Sequence, residues 1–159
     1  MRPARTVRFV AFATGPHTPT PGSRVYAERC TARGERLVGM LSLEALGRSV
    51  RQGAPAVMAV ANLGSRRLAR TVAWAFNHAS PAPRLRCQTA FVPGVLPGVS
   101  ASDPGAFWQQ QAPAVRVTET FPLSAWRDDE RVEQLDFERL AQVVRGLERV
   151  LERLSGAEH

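Results

Sequence analysis

The sequence predicts an α/β domain: a three-strand antiparallel meander, continued by βα units into a mixed sheet, and closed by a C-terminal amphipathic helix. Three observations carry that expectation. Short apolar or alternating runs fill residues 6–43, with Gly/Pro-rich breaks between them. An apolar run at 55–62 is followed directly by a helix-period stretch at 65–78. The last segment, 136–154, repeats Leu and Val at helical spacing for about five turns. At 159 residues the chain is expected to be one domain (1–159), with 136–155 its long final helix.

Taken in order, "TVRFVAFA" (6–13) is apolar on both alternating faces apart from Arg8, which predicts a central strand. The bend "TGPHTPTPG" follows, and "SRVYAERC" (23–30) then alternates as a second strand. "TARGE" (31–35) supplies a Gly for a hairpin turn, and "RLVGMLSL" (36–43) is the third strand. "LEALGRSVRQG" (43–53) has Leu43, Leu46 and Val50 at helical spacing and is stopped by Gly53 and Pro55. "PAVMAVAN" (55–62) reads as a buried strand, parallel to the first. Asn62 or Ser65 caps the next helix, "SRRLARTVAWAFNH" (65–78).

Beyond "SPAP", "RLRCQTAFV" (84–92) alternates as a strand with a basic outer face. Residues 93–106 are rich in Gly, Pro and Ser and read as a long loop; "FWQQQ" (107–111) fits more than one state. "AVRVTETF" (114–121) is a further strand. In the final helix Leu140, Val143, Val144, Leu147, Val150, Leu151 and Leu154 share one stripe, and Asp136 is placed to cap it.

Charge narrows the function classes. The net charge is +7, and all 21 basic residues are Arg. Lys and Ile are both absent, a pattern that fits a GC-rich coding bias and discounts the total. The layout is not explained that way. Residues 1–90 carry 14 Arg against three acids, a net of +11; residues 91–159 carry seven Arg against 11 acids, a net of −4. An electropositive body with a mixed, slightly acidic tail invites a polyanionic partner.

Two cysteines, Cys30 and Cys87, make no disulfide framework and no zinc-ligand spacing, and both read as small buried hydrophobes. The opening apolar run is too short for a signal sequence, and no stretch approaches a membrane span. A soluble cytoplasmic protein without a cofactor is the expectation.

The element order β-β-β-α-β-α, then strand and helix, resembles the ribonuclease H-like superfamily over residues 6–78. "FATGPHTPTPGSRVYAERCTARGERL" has the shape of that family's first strand, bend and basic hairpin. "SLEAL" would stand for its Glu-bearing helix, and "MAVANLGSRRLARTVAWAF" for its next strand and helix. The resemblance implies a nuclease holding two divalent ions between clustered carboxylates. In this chain the first acid falls on Thr14 and the strand-four acid on Asn62, while Glu44 matches; Asp128, Asp129 or Asp136 would supply the last. Neutral Thr and Asn are poor replacements for carboxylates at a hard-cation site, so the resemblance implies a degenerate, non-catalytic member.

The candidate nucleic-acid-binding residues are therefore Arg48, Arg51, Arg66, Arg67, Arg70, Arg84 and Arg86, with Trp108 as a base-stacking side chain beside Phe107. Arg66, Arg67 and Arg70 stand out because cations in the first turns of a helix oppose its macrodipole. Trp74 sits in an apolar helix and is expected in the core. His17 and His78 have no acid partner at a readable spacing. The first expectation is a non-catalytic binder of DNA or RNA. The alternative is an interaction or homo-oligomeric assembly module joining the basic body to the acidic stretch "DDERVEQLDFE". A metal-dependent nuclease-like enzyme with an altered site ranks third.

Overall fold

A computed structural model describes residues 3–13, 22–47, 56–79, 85–95, 99, 102–119 and 135–157. Its helices are α1 (Gly22–Ala32), α2 (Arg66–Asn77), α3 (Asp103–Gln109) and α4 (Phe137–Ser155). Its strands are β1 (Met40–Glu44), β2 (Ala56–Ala61), β3 (Arg86–Phe91) and β4 (Ala114–Thr118). The strands form one mixed sheet in the order β1-β4-β2-β3. β1 runs parallel to β4 with Leu41 opposite Val115, and β2 runs parallel to β3 with Val57 opposite Cys87. β2 and β4 are antiparallel, with Ala59 opposite Val117.

Alternation along each strand separates two layers. On one face Val57, Ala59, Ala61, Val115 and Val117 pack with Leu68, Val72 and Phe76 of α2 and with Val143 and Val150 of α4. On the other face Ala114 packs with Ala27 of α1 and with Ala106 and Phe107 of α3. Glu119, just beyond β4, accepts hydrogen bonds from the Gly47 amide (2.6 Å) and from Arg139 Nε (2.5 Å), which pins the start of α4 beside the end of the sheet.

The expected α/β class, mixed sheet and C-terminal helix are present. β2, α2, β3 and β4 lie where the sequence places them, and Asp136 caps α4 by accepting from the Arg139 amide at 2.9 Å. The N-terminal third differs. The three-strand meander does not form. Residues 6–13, expected as a central strand, run outside the sheet, with Val7, Phe9 and Val10 exposed and Phe9 88% so. Phe12 alone packs inward, edge-on to Tyr26 at 5.8 Å between ring centres.

The expected second strand is α1. Its buried residues, Ser23, Ala27 and Cys30, follow the helical i, i+4, i+7 spacing, which the alternation of Val25 and Ala27 obscures. Gly34 does not turn a hairpin. At φ +64° it ends α1, with its amide donating to Thr31 O (2.9 Å) and the Glu35 amide to Cys30 O (2.9 Å), a Schellman closure. β1 begins four residues later than expected, at Met40, and its neighbour is β4. β2 is parallel to β3, not to an N-terminal strand. The long loop ends earlier than expected, because Ser102 caps α3 through Gly105 N. Most of the helix expected at 43–53 lies outside the described residues.

Candidate nucleic-acid interface

α2 is the element that builds the candidate surface. Its inner side chains, Leu68, Ala69, Val72, Ala73, Ala75 and Phe76, are buried. Arg67, Arg70 and Trp74 repeat at three- and four-residue spacing and share the outer face, beside Arg66. The helix is fixed at both ends. Asn62 Oδ1 accepts from the Ser65 amide at 2.8 Å, and Ser65 Oγ accepts from the Ala114 amide of β4 at 3.2 Å. At the other end the Asn77 side chain makes two bonds to the Cys87 backbone of β3, accepting at 2.8 Å and donating at 3.0 Å. A helix anchored at both ends to neighbouring strands presents its outer row in one orientation.

α4 supplies the second wall. It crosses α2 where Gly146 meets the Phe76 ring, and it carries Arg153 over Trp74, with the guanidinium carbon 5.4 Å from the indole centre. His78 stacks on the same indole at 4.4 Å and 24°, and its Nδ1 lies 2.7 Å from Trp74 O. The result is an open groove of about 510 Å³ lined by Arg66, Arg67, Arg70, Thr71, Trp74 and Arg153. Among the described residues, four guanidinium groups and no carboxylate line it. The positive end of the α2 macrodipole adds to that field. Thr71 Oγ1 donates to Arg67 O at 3.0 Å and Arg66 to Leu63 O at 3.3 Å, so two of the lining side chains are partly oriented by backbone.

The other sequence candidates fall elsewhere. Arg86 is exposed at the start of β3, beside the C-terminal end of α2 and outside the groove. Arg48, Arg51 and Arg84 lie outside the described residues. Trp108 is half-buried on the opposite layer, where its Nε1 donates to Ala114 O at 3.0 Å, and Phe107 is 2% exposed. The Phe107–Trp108 pair is therefore core, since both rings pack where α3 meets β4. Trp74 corrects the opposite expectation, being 49% exposed. The sequence reading missed Arg153, which is 83 residues or more from the α2 arginines. A signal for Trp74 was present: it is four residues from Arg70 and seven from Arg67, on the outer row.

The carboxylate positions of the nuclease resemblance do not converge among the described residues. β1 and β2 point in opposite directions across β4, so Glu44 and Asn62 sit at opposite ends of the sheet. Thr14 lies outside the described residues. Glu44 accepts from Ser42 Oγ at 2.7 Å and pairs with Arg116 of β4. Among the described residues no group of three or more His, Cys, Asp or Glu is placed to hold a metal ion. Both thiols are free and buried; burial pushes Cys87 up to about 12 and also raises Cys30.

The fold and this surface define an α/β domain with a four-strand mixed sheet and a cationic groove between two helices of one layer. No family model matches the chain, and no curated protein does. Solved structures do match it. A crystal structure of the LapA aminopeptidase of Legionella pneumophila has a TM-score of 0.65 at 13% identity, and a second structure of Legionella LapA has 0.66 at 13%. Each match covers 84% of this chain and 36% of the LapA chain, so this chain spans about a third of those proteins. At that identity the likeness is one of fold. Among the described residues no helix is long and apolar enough to cross a membrane.

Proposed function

We propose that this chain is a non-catalytic nucleic-acid-binding protein that holds phosphates against the α2–α4 groove. One observation carries the reading: Arg66, Arg67, Arg70 and Arg153 line a single groove to which no carboxylate of the described residues contributes. A cluster of like charges favours a polyanion, and phosphodiesters match the guanidinium fork. The test is binding of a labelled oligonucleotide as a function of salt. Four neutralised phosphates give a log–log slope of about −3 to −4. The combined variant Arg66→Ala, Arg67→Ala, Arg70→Ala reduces the slope to about −1 and weakens binding at low salt. Absence of binding at low salt, or binding indifferent to the triple variant, refutes the proposal.

A second reading, self-association, is favoured by the exposed apolar residues Val7, Phe9 and Val10, whose segment makes no backbone hydrogen bond with β1. Light scattering at two salt concentrations checks it; a salt-insensitive monomer removes it. The likeness to LapA extends to the fold alone, and no peptidase activity is proposed from it.

A further inference from the structure

Within the nucleic-acid reading, on which this inference rests, the groove also carries information about which form of nucleic acid it takes. Its floor is an indole. Trp74 is half exposed, and its neighbours along the groove are Arg66, Arg67, Arg70 and Arg153. An exposed tryptophan among cations has little to gain from duplex DNA or RNA. There the base faces are covered by their neighbours in the stack, and a helix surface offers only phosphates, sugars and base edges. An unpaired base has a free face, and stacking on an aromatic side chain is independent of its identity.

Trp74 already holds planar partners. His78, the residue that caps the C-terminal end of α2, is stacked on it, and Arg153 reaches it from α4. His78 is bound to the turn it stands on through Trp74 O, so it is the fixed partner. Arg153 is a long side chain on a second helix, and its guanidinium carbon lies over the indole at 5.4 Å, cation–π range, where it covers a face that a base could take by displacing it. We infer that the α2–α4 groove binds single-stranded nucleic acid, with one unpaired base stacked on Trp74 in place of the Arg153 guanidinium, and with the flanking phosphates held by Arg66, Arg67, Arg70 and the displaced Arg153.

The exchange is chemically consistent. The strand brings one phosphate per base, so the guanidinium that leaves the ring finds an anion one backbone unit away. With one stacking residue and four cations, affinity is modest, tolerant of sequence and steeply dependent on salt.

The experiment measures anisotropy of a labelled oligodeoxythymidine and of a labelled duplex of equal length, at the same low salt, for the wild-type chain, Trp74→Leu, and the triple arginine variant. Trp74 is at the surface, and an unchanged far-UV circular dichroism spectrum and urea midpoint confirm that Trp74→Leu folds. The expected result is about 5- to 150-fold weaker strand binding by Trp74→Leu with duplex binding unchanged. Tryptophan fluorescence supplies a second reading: the strand quenches the wild-type chain, and the part of the quench due to Trp74 is lost in the variant. Equal strand and duplex affinities with no effect of Trp74→Leu, while the triple variant loses both, overturn this inference and leave the phosphate-binding proposal standing. Failure of the wild-type chain to bind either ligand overturns both. Competition by inorganic polyphosphate as effective as that by the strand also overturns the base-stacking inference.

Discussion

Gly146 fixes the distance between the two walls of the groove, and replacing it tests whether α4 sits where the structure puts it. A Cβ built at 146 would lie 2.3, 2.4 and 2.6 Å from three ring atoms of Phe76. That ring is 3% exposed and belongs to the main core, so it has no free direction in which to retreat. Two effects oppose each other in Gly146→Ala. Alanine is the better helix former by about 1 kcal/mol. Overpacking a close helix crossing costs about 1–3 kcal/mol, and three contacts below 3 Å against a buried ring place this site near the upper end. The net is a loss of about 2 kcal/mol, which is a fall of about 1 M in the urea midpoint for an m-value near 2 kcal/mol/M. Arg153 lies seven residues further along α4, about 10 Å, so a displaced helix also moves the guanidinium away from Trp74 and weakens oligonucleotide binding. Phe76→Leu shortens the opposing side chain, and a double-mutant cycle then shows a coupling between the two sites of about 0.5–3 kcal/mol. If Gly146→Ala is as stable as the parent or more so, helix propensity is unopposed and the close crossing does not exist.

Two further outcomes follow from the same packing. The Cys87 thiol, pushed up to about 12 by burial, stays protonated in the folded chain while the unfolded thiol ionises near 8.5. The unfolded state then binds fewer protons at this group, so the Cys87 contribution to stability is constant below about pH 8.5 and falls above it by about 1.4 kcal/mol per pH unit until the folded thiol itself titrates; the difference in urea midpoints from pH 7 to 10.5 with and without Cys87→Ala checks the slope. Arg67→Glu places an anion in a first turn that holds no acid, which raises the thermal midpoint by an amount equivalent to about 0.5–2 kcal/mol while it weakens oligonucleotide binding; a variant that loses stability contradicts the assignment of Arg67 to the exposed face.

The elements that were legible in the sequence are those whose burial pattern has one period. α4 repeats Val143, Leu147, Val150 and Leu154 over about three turns, and no strand of that length fits an alternation of two. β2 is too short and too uniformly apolar for a surface helix, and the helix-capping Asn62 bounds it. The N-terminal third fails on the same criterion. "SRVYAERC" satisfies a period of two through Val25 and Ala27 and a period of 3.6 through Ser23, Ala27 and Cys30; only the packing of Ala27 on Ala106 and Phe107 decides between them. A glycine before a polar residue serves a hairpin or a helix end equally well, because both need positive φ at Gly34. "TVRFVAFA" has the composition of a buried strand, but composition does not create a partner strand, and the sheet order places β1 at that edge instead. The site was half legible for a related reason. Three of its cations are neighbours in sequence, whereas Arg153 arrives through the Gly146–Phe76 crossing, a tertiary contact with no local trace.

The cationic first turns of α2 remain the strongest physical argument for a polyanionic ligand. Arg66, Arg67 and Arg70 face the positive end of their own helix dipole, with no acid in the first turn to offset them, and Arg153 adds a fourth like charge from α4. The two cations in the first turn, Arg66 and Arg67, each cost about 0.3–1 kcal/mol in the folded chain. Coding bias explains why these basic residues are Arg rather than Lys; it does not explain why they are basic, or why they fall on the row that carries the exposed Trp74 rather than around the whole helix. The inner row of α2 is meanwhile occupied by Leu68, Val72 and Phe76, so the helix was not free to rotate the arginines apart. A bound phosphate chain reverses the sign of that cost by giving the clustered guanidinium groups charge-assisted contacts. The dependence of thermal stability on added oligonucleotide then follows: ligand bound only to the folded state raises the midpoint, and most at low salt, where the unliganded groove is least stable.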